Sequence, residues 1–166
     1  MEFPLLENND FEIKLLVNNY TFNEKEGEVP KTYTFLVVDD ELYIRSAVKR
    51  VIISQIKTLT DSINLQIIEA CDGVECILAV YLAKIKKVRI DAIISDETMA
   101  FITGSHSSKI LEELISKGSL DHIKMYISTA LSHTNIRNNF SKIVKKIYSK
   151  PLDKNVIQDI LKDINK

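Results

Sequence analysis

Five short stretches of strand character recur along this chain, at residues 34–38, 65–70, 89–95, 124–130 and 145–149, and a stripe of apolar residues at helical spacing follows each. This alternation constrains the fold more than any single motif does. The first run, Thr34-Phe-Leu-Val-Val38, has the apolar and β-branched content expected of a strand covered on both faces. After it, Ile44, Ala47, Val48, Val51, Ile52 and Ile56 predict an amphipathic helix, with Asp40 placed to cap it. Val74, Ile77, Leu78, Tyr81, Leu82 and Ile85 form the cleanest stripe. Ile110, Leu111, Leu114 and Ile115 predict a third helix ending at Gly118. A weaker pattern over 134–143 rests on Ile136, Phe140 and Ile143. The last helix starts at Asp153 and carries Val156, Ile157, Ile160, Leu161 and Ile164.

Strands alternating with helices of this length predict a doubly wound α/β fold: a five-stranded parallel sheet, (βα)5 and flavodoxin-like, covered on both faces. Residues 1–33 differ in character and are read as an N-terminal extension, with the α/β domain spanning 34–166. The extension is rich in Asn and Glu and holds Pro4, Gly27, Pro30 and one apolar patch at 11–17. That patch is compatible with a short helix or strand docked on the main body, or with the end of a neighbouring domain in a longer parent chain. The stretch 23–31 reads as a linker.

Composition narrows the function classes. Charged residues make up 27% of the 166, and the formal net charge is -1, so no global field attracts nucleic acid or an anionic membrane. No apolar run approaches the ~20 residues of a membrane span. The acidic N-terminus lacks the form of a signal peptide. Two cysteines, Cys71 and Cys76, are too few for a disulfide framework. The expected location is cytoplasmic.

In an open parallel sheet, ligands bind beyond the carboxyl ends of the strands. The residues found there are Asp39 and Asp40 after the first run, Asp96 after the third, Ser128 and Thr129 after the fourth, and Lys150 after the fifth. Three carboxylates, a hydroxyl and an ammonium therefore converge on one edge. Carboxylates so placed repel one another, and a divalent cation offsets the repulsion; an all-oxygen site with open positions suits Mg²⁺. With a lysine and a threonine beside it, the set has the parts of a phosphoryl-transfer site. His106, His122 and His133 are read as surface residues, because none has a second ligand at useful spacing.

The ordered pieces Val37-Val-Asp-Asp-Glu41, Glu69-Ala-Cys-Asp-Gly73, Ile94-Ser-Asp-Glu-Thr-Met99 with Gly104, Ser128-Thr-Ala130 and Lys150-Pro151 resemble the receiver domains of two-component response regulators, over about residues 34–165. The resemblance implies that Asp96 is the phosphoacceptor, taking a phosphoryl group from a phosphohistidine on a histidine kinase or histidine phosphotransfer protein. It implies Mg²⁺ held by Asp40, Asp96 and the Thr98 backbone carbonyl, with Asp39 acting through water. Lys150 then holds a phosphoryl oxygen, Thr129 swings toward the aspartyl phosphate, and the Lys150–Pro151 bond is cis. On this reading the chain is a signalling domain and no enzyme beyond its own phosphorylation and dephosphorylation. It stands alone or is the receiver piece of a hybrid histidine kinase, contacting neither nucleic acid nor membrane.

Two positions depart from the family: Ala100 stands where proline is usual, and Ile147 where an aromatic switch residue is usual, with Tyr148 one place later on the opposite strand face. They motivate a rival reading, a degenerate receiver that binds a partner without phosphorylation. A third reading, a Mg²⁺-dependent phosphatase, places a general acid two residues after its nucleophile; Glu41 holds that place after Asp39 and Thr98 after Asp96.

Overall fold

The computed structural model describes residues 16–130 and 140–166. Six strands and four helices occupy them: β1 (Leu16–Phe22), β2 (Lys31–Val38), α1 (Leu42–Ile56), β3 (Ile63–Ala70), α2 (Gly73–Ile85), β4 (Ala92–Asp96), α3 (Gly104–Ser116), β5 (Met125–Thr129), β6 (Val144–Ser149) and α4 (Lys154–Ile164). The sheet order is β1-β3-β2-β4-β5-β6. The five strands from β2 to β6 run parallel, as the sequence pattern predicts. The sheet gains a sixth, antiparallel edge strand from the leader, where β1 pairs with β3 from Leu16↔Glu69 to Phe22↔Ile63.

Side-chain alternation divides the core into two layers. Leu36, Val38, Ile68, Ile93, Met125 and Ile127 meet α2 and α3 on one face. Tyr33, Phe35, Val37, Leu65, Ile67 and Ile94 meet α1 and α4 on the other. Burial of each such side chain is worth about 1.5–3 kcal/mol before chain entropy is subtracted. The last helix is pinned by polar bonds as well. Tyr126 Oη donates to Asp163 Oδ2 and Tyr148 Oη to Asp159 Oδ2, each at 2.6 Å.

Local signals explain most helix ends. Asp72 caps α2 by accepting from the Glu75 amide at 2.9 Å, and Asp153 caps α4 by accepting from the amides of Asn155 and Val156. Gly118 follows α3 with a φ of 72°, a left-handed conformation that suits glycine. The first helix differs from expectation. Its cap is Glu41, with no side-chain cap bond, while the Glu41 amide donates to Asp39 Oδ1 at 3.0 Å. Asp39 thus occupies the position beside the helix start that would have engaged Asp40. The predicted weak helix falls largely outside the described residues at 134–139. Its remainder, 140–143, is bend and turn leading into β6.

The leader strand is held by more than its ladder. Tyr20 and Phe22 stack with ring centroids 6.2 Å apart and pack against the α1/α4 layer, and Lys57 Nζ lies 5.6 Å from the Phe22 ring centre. Residues 23–30 then lead into β2; Asn23 Nδ2 donates to Leu59 O at 2.6 Å and the Lys31 amide to Ser62 O at 2.8 Å.

Candidate phosphoryl-transfer site

Parallel pairing of β2, β4 and β5 brings their carboxyl ends to one edge, with Val38 opposite Ser95 and Asp96 opposite Ser128. The carboxylates of Asp39, Asp40 and Asp96 offer oxygens that all lie within 4.8 Å of one another. Lys150, just past β6, reaches across the sheet: its Nζ is 2.7 Å from Asp39 Oδ2 and 2.9 Å from Asp96 Oδ2. Asp39 and Asp96 are buried and Asp40 is exposed. Among the described residues no hydrogen bond or ion pair engages the Asp40 carboxylate. One ammonium therefore faces three clustered acids, and an oxygen-rich set of this kind fits a hard divalent cation.

The backbone shapes each oxygen. Asp96 Oδ1 accepts from the Glu97 amide at 2.7 Å, leaving Oδ2 to Lys150. Burial raises the pKa of Asp96, with Asp39 adding to the rise and the Lys150 ammonium opposing it. Burial works against the charge on Lys150, but its hydrogen bonds to Asp39 and Asp96 outweigh this and leave its pKa raised. Both effects follow from placing like carboxylates around a single cation.

Thr98 is exposed in the loop after Asp96. Thr129 is buried at the end of β5, where its carbonyl accepts from the Lys150 amide at 2.9 Å. The Lys150–Pro151 peptide is cis, as expected. Ile147 packs with the α2/α3 layer, whereas Tyr148 faces α4 and bonds to Asp159. His106 and His122 are on the surface, and His133 lies outside the described residues.

Two features of the site were not foreseen. Glu97, the neighbour of Asp96, is buried and clamps the start of α3: Oε2 accepts from the Ser105 amide at 2.7 Å and Oε1 from Ser105 Oγ at 2.8 Å. The Gly104 amide donates to Glu97 O, so both ends of the loop carrying Thr98 and Ala100 are tied together. A Cβ at Gly104 would lie 2.4 Å from Asp96 O, which reserves the position for glycine. The signal was an acid and a serine eight residues apart, which no local pattern distinguishes from solvated loop residues. The second feature is Glu69, buried behind Asp39 with Lys49 Nζ at 2.5 Å and Arg45 Nε at 3.5 Å.

No family model matches the chain, and no curated protein matches it. Solved structures do. A two-component response regulator from Cytophaga hutchinsonii shares 14% identity at a TM-score of 0.69, covering 83% of this chain and 100% of that one. The CheX–CheY–BeF3–Mg²⁺ complex from Borrelia burgdorferi matches at 17% identity and a TM-score of 0.62, over 81% of this chain and 90% of that one. The response regulator TrrA from Thermotoga maritima, in complex with Mg²⁺–BeF, matches at 23% identity and 0.57, over 80% and 98%. At these identities the likeness is one of fold: the chain has the flavodoxin-like architecture of response-regulator receiver domains.

Proposed function

We propose that this receiver-fold chain is a phosphoacceptor signalling domain, with Asp96 as the residue that takes the phosphoryl group. One observation carries the reading: Lys150 bridges Asp39 and Asp96 while the Asp40 carboxylate stands beside them without a partner among the described residues. A site built only for stability would balance its charges. This one leaves a net negative pocket at the ligand-binding edge of the sheet.

Asp96 acts as nucleophile. A carboxylate oxygen forms a bond to phosphorus as the phosphorus–nitrogen bond of a phosphohistidine breaks, and the imidazole leaves with a proton from solvent. The donor is a histidine kinase or a histidine phosphotransfer protein. Mg²⁺ would be held by Asp40, Asp96 and the Thr98 carbonyl, with Asp39 assisting, and when bound would neutralise charge shared by the carboxylates and the phosphoryl oxygens. Lys150 already lies against the nucleophilic carboxylate and is placed to take a phosphoryl oxygen. Thr129 supplies a hydroxyl at the end of the neighbouring strand. The chain catalyses only its own phosphorylation and dephosphorylation, acts in the cytoplasm, and passes its signal by protein contact without binding nucleic acid.

Incubation with acetyl phosphate or beryllofluoride plus Mg²⁺, read by mass spectrometry and NMR, tests this. Wild type is expected to gain an adduct or a Mg²⁺-dependent spectral change that Asp96→Asn lacks; identical behaviour of the two proteins would sink the proposal. The rival reading, a receiver that binds a partner independently of phosphorylation, draws support from Ile147, an aliphatic residue at the position of the aromatic switch, and from Ala100 in place of proline. It predicts partner binding that Asp96→Asn leaves unchanged.

A further inference from the structure

Behind the acid pocket lies a buried charged cluster that joins the leader strand to Asp39. The Glu69 carboxylate, 2% exposed, sits near the end of β3. Its Oε1 accepts from Lys49 Nζ at 2.5 Å and from Asn18 Nδ2, on β1, at 3.0 Å. Its Oε2 faces Arg45 Nε at 3.5 Å, and neither of these two buried atoms makes a hydrogen bond. The far end of the same guanidinium donates from Nη1 to the Asp39 carbonyl at 2.5 Å. Arg45 is therefore shared between two acceptors, and only the one in the acid pocket is satisfied.

Buried polar atoms left unpaired carry a desolvation cost, so Glu69 Oε2 and Arg45 Nε have reason to close on each other. Two donors on Oε1 oppose that by fixing the rotation of the carboxylate. Lys49 belongs to the same helix as Arg45, but Asn18 comes from the leader and anchors the carboxylate from the other side. Without it, Glu69 can turn toward Arg45 and draw the guanidinium from the Asp39 carbonyl. Asp39 would then lose a bond that fixes its backbone beside Lys150 and Asp40.

We propose that β1 is part of the acid pocket's supporting structure, with Asn18 a positioning residue that acts through Glu69 and Arg45 to hold Asp39 in place for a divalent cation. This rests on the cation-binding reading given above. The leader strand is then a means of setting the site's affinity: loss of the Asn18–Glu69 bond weakens cation binding at the start of α1.

The test compares Asn18→Leu with Asn19→Leu in the full chain. Asn19 lies on the same strand and accepts from Gln66 Nε2 at 3.0 Å, so its loss removes a comparable cross-strand bond without touching the cluster. In ¹⁵N spectra without cation, Asn18→Leu is expected to move the Arg45 Nε–H and Glu41 amide signals, and Asn19→Leu to leave them in place. Titration with Mg²⁺ should show affinity reduced about threefold to tenfold in Asn18→Leu, below the roughly 10–100-fold effect of removing a ligand's immediate partner. In an Arg45→Met background, Asn18→Leu should bring no further weakening, because the two residues act on one path. Asn18→Ala repeats the comparison with a smaller side chain. Unmoved Arg45 and Glu41 signals, or a Mg²⁺ affinity equal to that of Asn19→Leu, overturn the inference while leaving the pocket's function standing. A wild type that shows no saturable Mg²⁺ response overturns the reading of the pocket, and this inference with it.

Discussion

Asp96 carries a cost in the folded chain that its replacement would reveal. Burial raises its pKa, so the folded state holds that proton to a higher pH than the unfolded chain does. Its contribution is then most favourable in acid and declines as pH climbs from the ordinary carboxyl range through the raised value. Asp96→Asn removes the charge and leaves Lys150 paired with Asp39. The variant is expected to melt a few degrees above wild type near neutral pH, and the gain should shrink toward acid. Thermal scans at pH 4 and pH 7 measure it; a variant less stable at both would show that the Lys150 pair outweighs burial. Lys150 follows the same rule in a different pH range. Its raised pKa gives stability fully present below the ordinary lysine value and lost only as strongly alkaline pH passes the raised one. That Asp39, Asp40, Asp96 and Lys150 meet at one edge was legible in the sequence, because each stands at or just past the end of a strand-like stretch and the ligand edge of a parallel sheet is known in advance. Glu97, Glu69 and Arg45 were not, because an acid mid-sequence gives no sign of whether it is buried or solvated until its distant partner is placed.

At the scale of elements, the join between β4 and α3 has the least slack. Any side chain at Gly104 would meet the Asp96 carbonyl, and the Glu97–Ser105 bonds close the intervening loop. Gly104→Ala is expected to cost roughly 1–3 kcal/mol by overpacking, since the opposing atom is backbone at the end of a central strand. It should also weaken Mg²⁺ binding, because the strand end that must shift carries Asp96. Denaturant unfolding and a Mg²⁺ titration together check this, and a variant unchanged in both would show that the loop yields without disturbing the strand. The five parallel strands and the places of the four described helices were readable in the sequence, but the stripe chosen for α2 was the wrong face: Val74, Tyr81 and Ile85 are exposed, and Cys76, Ala79, Val80 and Ala83 are buried. The sixth strand was not readable, because Leu16 to Phe22 has two central asparagines and finds its partner about 45 residues away. The first helix cap was misassigned for a related reason. Asp39 and Asp40 are equally good caps by type, and only the turn of the chain decides which carboxylate meets the Glu41 amide.

The whole molecule is arranged so that folding itself creates the electrostatic imbalance at the site. Asp39 and Asp40 arrive with β2 and Asp96 with β4, while Lys150 arrives from beyond β6, more than fifty residues after Asp96. The unfolded chain keeps these groups apart and does not pay their repulsion, so a cation that neutralises them binds the folded form selectively. Such binding stabilises by mass action, about 2.7 kcal/mol when free cation is a hundredfold above its dissociation constant. The melting temperature of wild type is therefore expected to rise with Mg²⁺ and fall back on chelation. Asp40→Asn, which removes the exposed acid of the set, should flatten that dependence with little loss of cation-free stability. Lys150→Met should behave oppositely: less stable without cation, because Asp39 and Asp96 lose their shared counter-charge, and more strongly stabilised by Mg²⁺ for the same reason. Differential scanning calorimetry of the three proteins across a Mg²⁺ series separates these outcomes. A wild type indifferent to Mg²⁺ would mean that Lys150 alone suffices to balance the pocket.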